Sequence, residues 1–320
     1  MSNFGFSSTA DEVLADIDLK GRTAFVTGGY SGLGRETARA MAARGAHVIL
    51  SGRDATKLAA AADAIAEETG AKVETLVCDL ASLDSIRKAA GEANDRFAKI
   101  DLLINNAGVM ACDEAETTDG FEMQFGTNHI GHFLLTNLLM PLVEAGERQR
   151  IVNLSSRGHH IAPVDFDDPN FENREYDKWV SYGQSKTANV LFAVGLERRL
   201  VAKGIHAYAL HPGGINTNLG RHMSEEEMAD LMERIRKSAE ARGEKPEPFK
   251  SIPQGAATTC WVATTPELEG RGGLYCEDCH VAEQDDHDTG GGVRSYAVDE
   301  DKAERLWQLS EKMVGQTFDY

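Results

Sequence analysis

The chain has 320 residues, 42% of them hydrophobic, long enough to bury a sizeable core within the span of one large α/β domain. Asp and Glu outnumber Lys and Arg by 51 to 33, and the resulting charge of −18 repels nucleic acid and anionic membrane surfaces, so neither is expected as a partner. Neither end carries an apolar run of about 18 residues, the acidic N-terminus lacks the basic and apolar regions of a signal peptide, and five cysteines suit free thiols in a reducing compartment; a soluble, cytoplasmic protein is the expectation. Residues 1–20 read as a polar extension lying loosely on the surface, with residues 21–320 as one domain.

From Arg22 the pattern changes. The apolar run Arg22–Thr27 reads as a strand and leads into Gly28-Gly-Tyr-Ser-Gly32-Leu-Gly34, and the alanine-rich stretch Arg35–Arg44 reads as a helix. Strand, glycine turn and helix together present backbone N–H groups and a positive dipole end to a pyrophosphate. The alternation continues with His47–Ser51 as strand, Ala55–Glu68 as helix, Lys72–Cys78 as strand and Leu83–Phe97 as helix. Asp101–Asn105, Ile151–Ser155 and Ile205–Leu210 are further strands, and Ser181–Leu200, Ser224–Arg242 and Asp299–Val314 further helices. Strands separated by helices predict an α/β fold: a single doubly wound parallel sheet of the Rossmann type, covered by helices on both faces. Ligands of such sheets lie outside the carboxyl ends of the strands. Asp79, Asn105-Asn106-Ala107-Gly108 and Ser155-Ser156 all fall at those ends.

Tyr182 and Lys186 lie four apart on a predicted helix and so share a face. A phenol with an ordinary pKa near ~10 is a poor base at neutral pH, and an adjacent ammonium stabilises its phenolate. The bland alternative is a packed ring beside a solvated charge. Cys276-Glu-Asp-Cys279-His280, with His287 beyond, has a zinc-like spacing, but one Cys-x-x-Cys without a second pair favours no metal. Gly290-Gly291-Gly292 reads as a flexible turn.

Taken together, Thr27–Gly34, Asn105-Asn-Ala-Gly108, Asn128, Ser155, Tyr182-x-x-x-Lys186 and His211-Pro-Gly213 resemble the short-chain dehydrogenases/reductases, over about Lys20–Pro266. Thr127-Asn-His-Ile-Gly-His-Phe-Leu-Leu-Thr136 and Tyr182–Asn189 are most similar to the branch that holds the retinol dehydrogenases and the WW-domain-containing oxidoreductase. The resemblance implies an NAD(P)-dependent oxidoreductase moving a hydride between a nicotinamide and an alcohol or carbonyl, with Tyr182 as general acid/base. It further implies that Lys186 lowers the Tyr182 pKa and holds the nicotinamide ribose, that Ser155 binds the substrate oxygen, and that Asn128 holds a water linking the lysine to solvent. Implied cofactor contacts are Gly28, Tyr30, Ser31, Gly32, Leu33 and Gly34 of the turn, then Arg53, Asp79, Leu80, Asn106, Ala107 and Gly108. Tyr182, Lys186, Pro212, Gly213 and Thr217 complete the set. Residues 213–252 correspond to the family's substrate loop, and His159 and His160 flank the entrance in a polar loop where a solvated role outweighs a direct one.

For the cofactor, no carboxylate occurs between Leu50 and Arg53, where an NAD site usually places one. Arg53 instead offers a guanidinium fork suited to a 2′-phosphate, which makes NADP preferred over NAD, with Asp54 the residue able to reverse that choice. The partner is a small-molecule alcohol or carbonyl, with self-association left open. A catalytically silent dinucleotide-binding protein is the alternative, disfavoured because it has no need of the Asn128, Ser155, Tyr182 and Lys186 set. Epimerase or dehydratase chemistry is disfavoured by the glycine spacing.

Overall fold

The computed structural model describes residues 4–243, 245–287 and 290–320. At its centre β1 (Thr23–Thr27), buried along its whole length, pairs in parallel with β2 (His47–Gly52) on one side and β4 (Leu102–Asn105) on the other. β3 (Val73–Val77) continues the sheet beyond β2, and β5 (Arg150–Leu154), β6 (His206–His211) and β7 (Leu274–Glu277) continue it in parallel beyond β4. A short antiparallel β8 (His280–Val281) closes that edge, so the described residues form an eight-stranded sheet in the order β3-β2-β1-β4-β5-β6-β7-β8. The winding direction reverses between β1 and β4, and a sheet of this kind opens its crevice at that reversal.

In chain order the helices are α1 (Ala10–Val13), α2 (Gly32–Ala42), α3 (Ala55–Thr69), α4 (Leu83–Arg96), α5 (Met123–Phe125), α6 (Gly131–Leu138) and α7 (Met140–Glu144). They continue with α8 (Lys178–Leu200), α9 (Glu225–Ala241), α10 (Ile252–Thr264) and α11 (Glu300–Val314), and a π-helical turn, Gly126–Ile130, joins α5 to α6. One core packs α1, α2, α3 and α10 on a face of the sheet; the other packs α4 to α8 and α11 on the opposite face. The ends are written in the sequence: Asp54, Ser82, Asp177 and Asp299 accept first-turn N–H groups, and Gly70 and Gly315 stop their helices in the left-handed conformation.

Two features depart from the sequence reading. The N-terminal extension is not loose: Ala10, Val13, Leu14 and Leu19 are buried in the core beneath α2 and α10, because residues 10, 13 and 14 form the apolar face of one helical turn. A Thr9–Glu12 capping box starts that turn, and Asp11 makes a two-pronged ion pair to Arg39 of α2 at 2.8 and 2.9 Å. Strands β7 and β8 and helix α10 are additions to the predicted elements. The β7–β8 turn holds Asp278 and Cys279 at positive φ, and it puts the Cys276 and Cys279 side chains in the core while His280 is exposed. The described residues contain no group of three or more His, Cys, Asp or Glu able to hold a metal ion, and no helix among them is long and apolar enough to cross a membrane.

Candidate active site

The ends of β1 and β4 are stitched together by one hydroxyl. Thr27 Oγ1 accepts the N–H groups of Asn106 and Ala107, both at 2.9 Å, and Asn106 Nδ2 donates to the Thr27 carbonyl at 2.7 Å. The chain then turns through Gly28 and Gly32, at φ 65° and 53°, which side chains other than glycine rarely adopt. A Cβ on Gly34 would run into the Asn106 amide and the Gly28 carbonyl, so only glycine lets α2 start this close to the sheet. Ser31 occupies the N-cap of α2 without a side-chain cap bond, leaving the first-turn N–H groups to the cleft. A pyrophosphate fits here, since the donors converge where no Cβ intrudes. Every cofactor-contact residue predicted from the sequence lines the same cleft of about 1990 Å³.

Further along that wall the Tyr30 ring covers Gly52, where a Cβ would come within 2.7 Å of it. Arg53 is exposed on the wall, while Asp54 is used elsewhere: it caps α3 through Lys57 N at 3.0 Å and pairs with Lys57 Nζ at 3.2 Å. The carboxylate able to oppose a phosphate is therefore tied to its own helix. Asp79 Oδ1 accepts Ala81 N–H at 3.0 Å and so shapes the loop after β3.

At the other end of the cleft α8 brings Tyr182 and Lys186 together, both buried, with Lys186 Nζ 5.6 Å from the centre of the phenol ring. Lys186 Nζ donates to the Leu154 carbonyl at 3.0 Å, and burial brings the ammonium down to about 8. Burial also pushes the Tyr182 phenol up to about 12, against the opposing hydrogen bond with the Ser156 side chain. Loss of solvent is thus the largest influence on the phenol and runs against the expected lowering by the cation.

The serine assignment changes as well. Ser155 Oγ donates to the Lys186 carbonyl at 2.8 Å, which ties β5 to α8; the hydroxyl beside the phenol belongs to Ser156. Both serines line the cleft just past the end of β5, and successive side chains there point to opposite sides. Gly158 closes the group, since a Cβ there would lie 2.7 Å from the Tyr182 ring. Asn128, unlike the other catalytic and cofactor-contact residues predicted from the sequence, is not on the cleft wall. It sits in the π-helical turn, where its Oδ1 accepts Val109 N–H at 2.8 Å and its Nδ2 donates to Val109 O and Ser185 Oγ, both at 2.9 Å. Its amide is satisfied by protein, so it braces the loop after β4 against α8.

Residues 22–228 match the model of the short chain dehydrogenase family. The chain belongs to that family. Its members are NAD(P)-dependent oxidoreductases, and this chain is 40% identical over 318 residues to the short-chain dehydrogenase/reductase prx1 of Penicillium rubens, covering 96% of this chain and 90% of the relative. Human retinol dehydrogenase 13 is 40% identical over 305 residues, covering 93% and 86%, which places the chain in the retinol dehydrogenase-like branch. A solved structure of an uncharacterized protein from Mycobacterium paratuberculosis superposes with a TM-score of 0.73 at 35% identity, covering 98% of this chain and all of that one. A short chain dehydrogenase of Escherichia coli CFT073, solved in complex with NADPH, shares the fold with a TM-score of 0.62 at 23% identity, covering 81% and 97%.

In this short-chain dehydrogenase a cap overhangs the mouth. It leaves the body after His211-Pro212-Gly213, where Thr217 stands beside Gly32 across the cleft, and runs through Asn218–His222 and α9. It returns at Lys250, whose N–H donates to the Gly214 carbonyl at 2.8 Å. Gly213 has φ 101°, and a Cβ there would meet the Lys250 side chain at 2.7 Å. Lys250 Nζ pairs with Asp278 and lies 4.8 Å from the Phe6 ring, wedging the base of the cap between the β7–β8 turn and the N-terminal segment. Ion pairs tie the cap to the body across the cleft, among them Lys178–Glu227 at 2.6 Å and Arg157–Glu247 at 3.3 Å. Between them Met223, Met228, Leu231, Ile235 and Phe249 face Trp179 and Ile161. His159 differs from its expected solvated role: it is fully buried, its Nδ1 bonded to Ser156 O at 2.7 Å and its ring against Tyr275, and burial drops it to about 3. His160 lines the cleft and bonds the Gly292 carbonyl at 3.0 Å.

Proposed function

We propose that this chain is an NADP(H)-preferring carbonyl reductase and alcohol dehydrogenase acting on a ketone or aldehyde with a sizeable apolar body. The observation that carries the reading is the buried Tyr182 phenol beside the Ser156 hydroxyl, with Lys186 Nζ 5.6 Å from the centre of its ring, at the end of a cleft whose other end is an open glycine turn. The bound nicotinamide supplies or accepts the hydride. In the reducing direction Ser156 orients the carbonyl oxygen, and the protonated Tyr182 gives its proton to that oxygen as negative charge develops there. Lys186 holds a positive charge beneath the phenol and keeps donors free, beyond its bond to Leu154, for the ribose hydroxyls. In the oxidising direction Tyr182 takes the alcohol proton back. The NADP preference rests on Arg53, exposed on the adenosine wall while Asp54 is held by α3, and is supported by the NADPH complex of the Escherichia coli relative. The apolar substrate body rests on the methionines, Leu231, Ile235, Phe249, Trp179 and Ile161 at the mouth.

The test is Tyr182→Phe, assayed at 340 nm against a panel of ketones, aldehydes and alcohols with both cofactors. Turnover falls by about 10² to 10⁴ while NADPH binding, followed by fluorescence, stays close to wild type. Retention of more than about a tenth of the turnover removes Tyr182 from the chemistry.

A further inference from the structure

The second histidine of the stretch Thr127–Phe133 has no role in the reading above. His132 is fully buried in α6, where its Nδ1 lies 2.9 Å from the Asn128 carbonyl and its Nε2 lies 2.9 Å from Thr27 Oγ1. The partners fix the protons. A carbonyl only accepts, so Nδ1 carries the hydrogen; the neutral ring then accepts at Nε2. Thr27 Oγ1 already accepts from Asn106 and Ala107, and its single proton goes to Nε2 at 2.9 Å in preference to the Ile104 carbonyl at 3.4 Å. Every donor in this group has one acceptor, and only one tautomer achieves that.

The network continues in both directions. Through Thr27 it reaches the turn Asn106–Gly108 and the strand that ends in the glycine turn. Through Asn128 it reaches Ser185, whose Oγ donates to the Tyr182 carbonyl at 2.8 Å. Gly108 lies at the junction, where a Cβ would come 3.1 Å from Asn128 Oδ1 and 3.6 Å from Lys186 Nζ. We propose that His132 is a positioning residue that sets the catalytic helix against the dinucleotide turn, one ring nitrogen holding each side. This rests on the proposed function for its catalytic side, but its dinucleotide side does not.

Three variants separate the two nitrogens. His132→Gln keeps an acceptor near Thr27 and loses the donor to Asn128; His132→Asn keeps that donor and loses the acceptor; His132→Leu loses both. His132→Leu raises the NADPH dissociation constant, read by fluorescence, about tenfold and lowers kcat at saturating NADPH about tenfold, the loss of about one buried hydrogen bond on each side. His132→Gln returns the dissociation constant to within about threefold of wild type but not kcat, and His132→Asn does the reverse. His132→Leu within about threefold of wild type on both measures, or two amides that behave alike, overturns the proposal. A chain inactive on every carbonyl fails the proposed function alone, since NADPH affinity still judges the Thr27 side. Should the variants not fold, nitrogen NMR of the wild-type protein at pH 7 decides: a protonated Nδ1 and bare Nε2 support the assignment, and the opposite or an averaging tautomer overturns it.

Discussion

On the sheet side of the cleft, Lys186, Asn128, His132 and Ser155 are buried and each is held by a hydrogen bond to main chain, with the buried Tyr182 beside them. On the cap side, α9 buries only Ala239, and the segment is tied down by ion pairs whose members keep contact with water. The first wall is a polar network in which an unmade bond costs about 1 to 3 kcal/mol, so its geometry is narrowly set. The second is joined by pairs worth about 0.2 to 1 kcal/mol each, which a substrate can displace. Under the proposed function, chemistry falls to the rigid wall and admission to the compliant one.

The sharpest way to break this contrast lies in the two adjacent serines. Ser156→Ala is expected to lower kcat/KM by about 10² to 10³, the usual loss for one donor at a developing oxyanion. Ser155→Ala removes a strut between β5 and α8, lowering Tm by a few degrees with turnover kept within about fivefold. A larger kinetic loss in Ser155→Ala returns the substrate-oxygen role to Ser155.

Acid should find the rigid side first. Burial holds His129 and His159 at about 3 and His132 at about 4, below an ordinary value of 6.5. A histidine whose folded value is depressed contributes stability that is complete above the unfolded value and is lost as pH falls toward the folded one. Urea midpoints are therefore expected to be level between pH 8 and 7 and to fall steadily from about 6.5 to 5, before most carboxylates titrate. A midpoint unchanged down to pH 5 means these rings are not held neutral.

Arg53→Ala probes the adenosine end: kcat/KM for NADPH drops about tenfold and that for NADH changes less than about twofold, as expected for one exposed charge-assisted contact. Equal changes refute phosphate reading by Arg53. The smallest effect is expected at the cap, where Lys178→Ala, or a rise from 50 to 300 mM salt in the wild type, raises the substrate KM about two- to threefold with kcat unchanged. A fall in kcat instead places Lys178 on the rigid side.

The sheet, its crevice and most of the wall were legible because they rest on strong local signals: apolar strand runs, alanine-rich helices, and glycines at 28, 32 and 34 where a positive φ or a close approach disfavours any side chain. What escaped was shorter or depended on facing. The α1 turn is four residues long, although Thr9-x-x-Glu12 signals its start, and α10 likewise begins at an unread Ser251-x-x-Gln254 capping box. β7 has four residues between Gly273 and the Asp278–Cys279 turn, too few for periodicity to register. Ser155 and Ser156 are alike as letters, and only the pleat decides which one meets Tyr182. Nor does the sequence contain the loss of solvent that raises the Tyr182 phenol, since that is a property of the closed core.

The bond from Lys250 N–H to the Gly214 carbonyl means the cap departs and returns at almost the same point of the body. Such an excursion behaves as a cassette. Because its two ends are already joined, doubling its length adds only about 0.6 kcal/mol of closure entropy, and no strand of the sheet has to move to accommodate the change. Under the proposed function, exchanging the insert between Thr217 and Phe249 for a longer, shorter or differently surfaced one is expected to change the range of substrates while Thr217 stays in place beside the glycine turn.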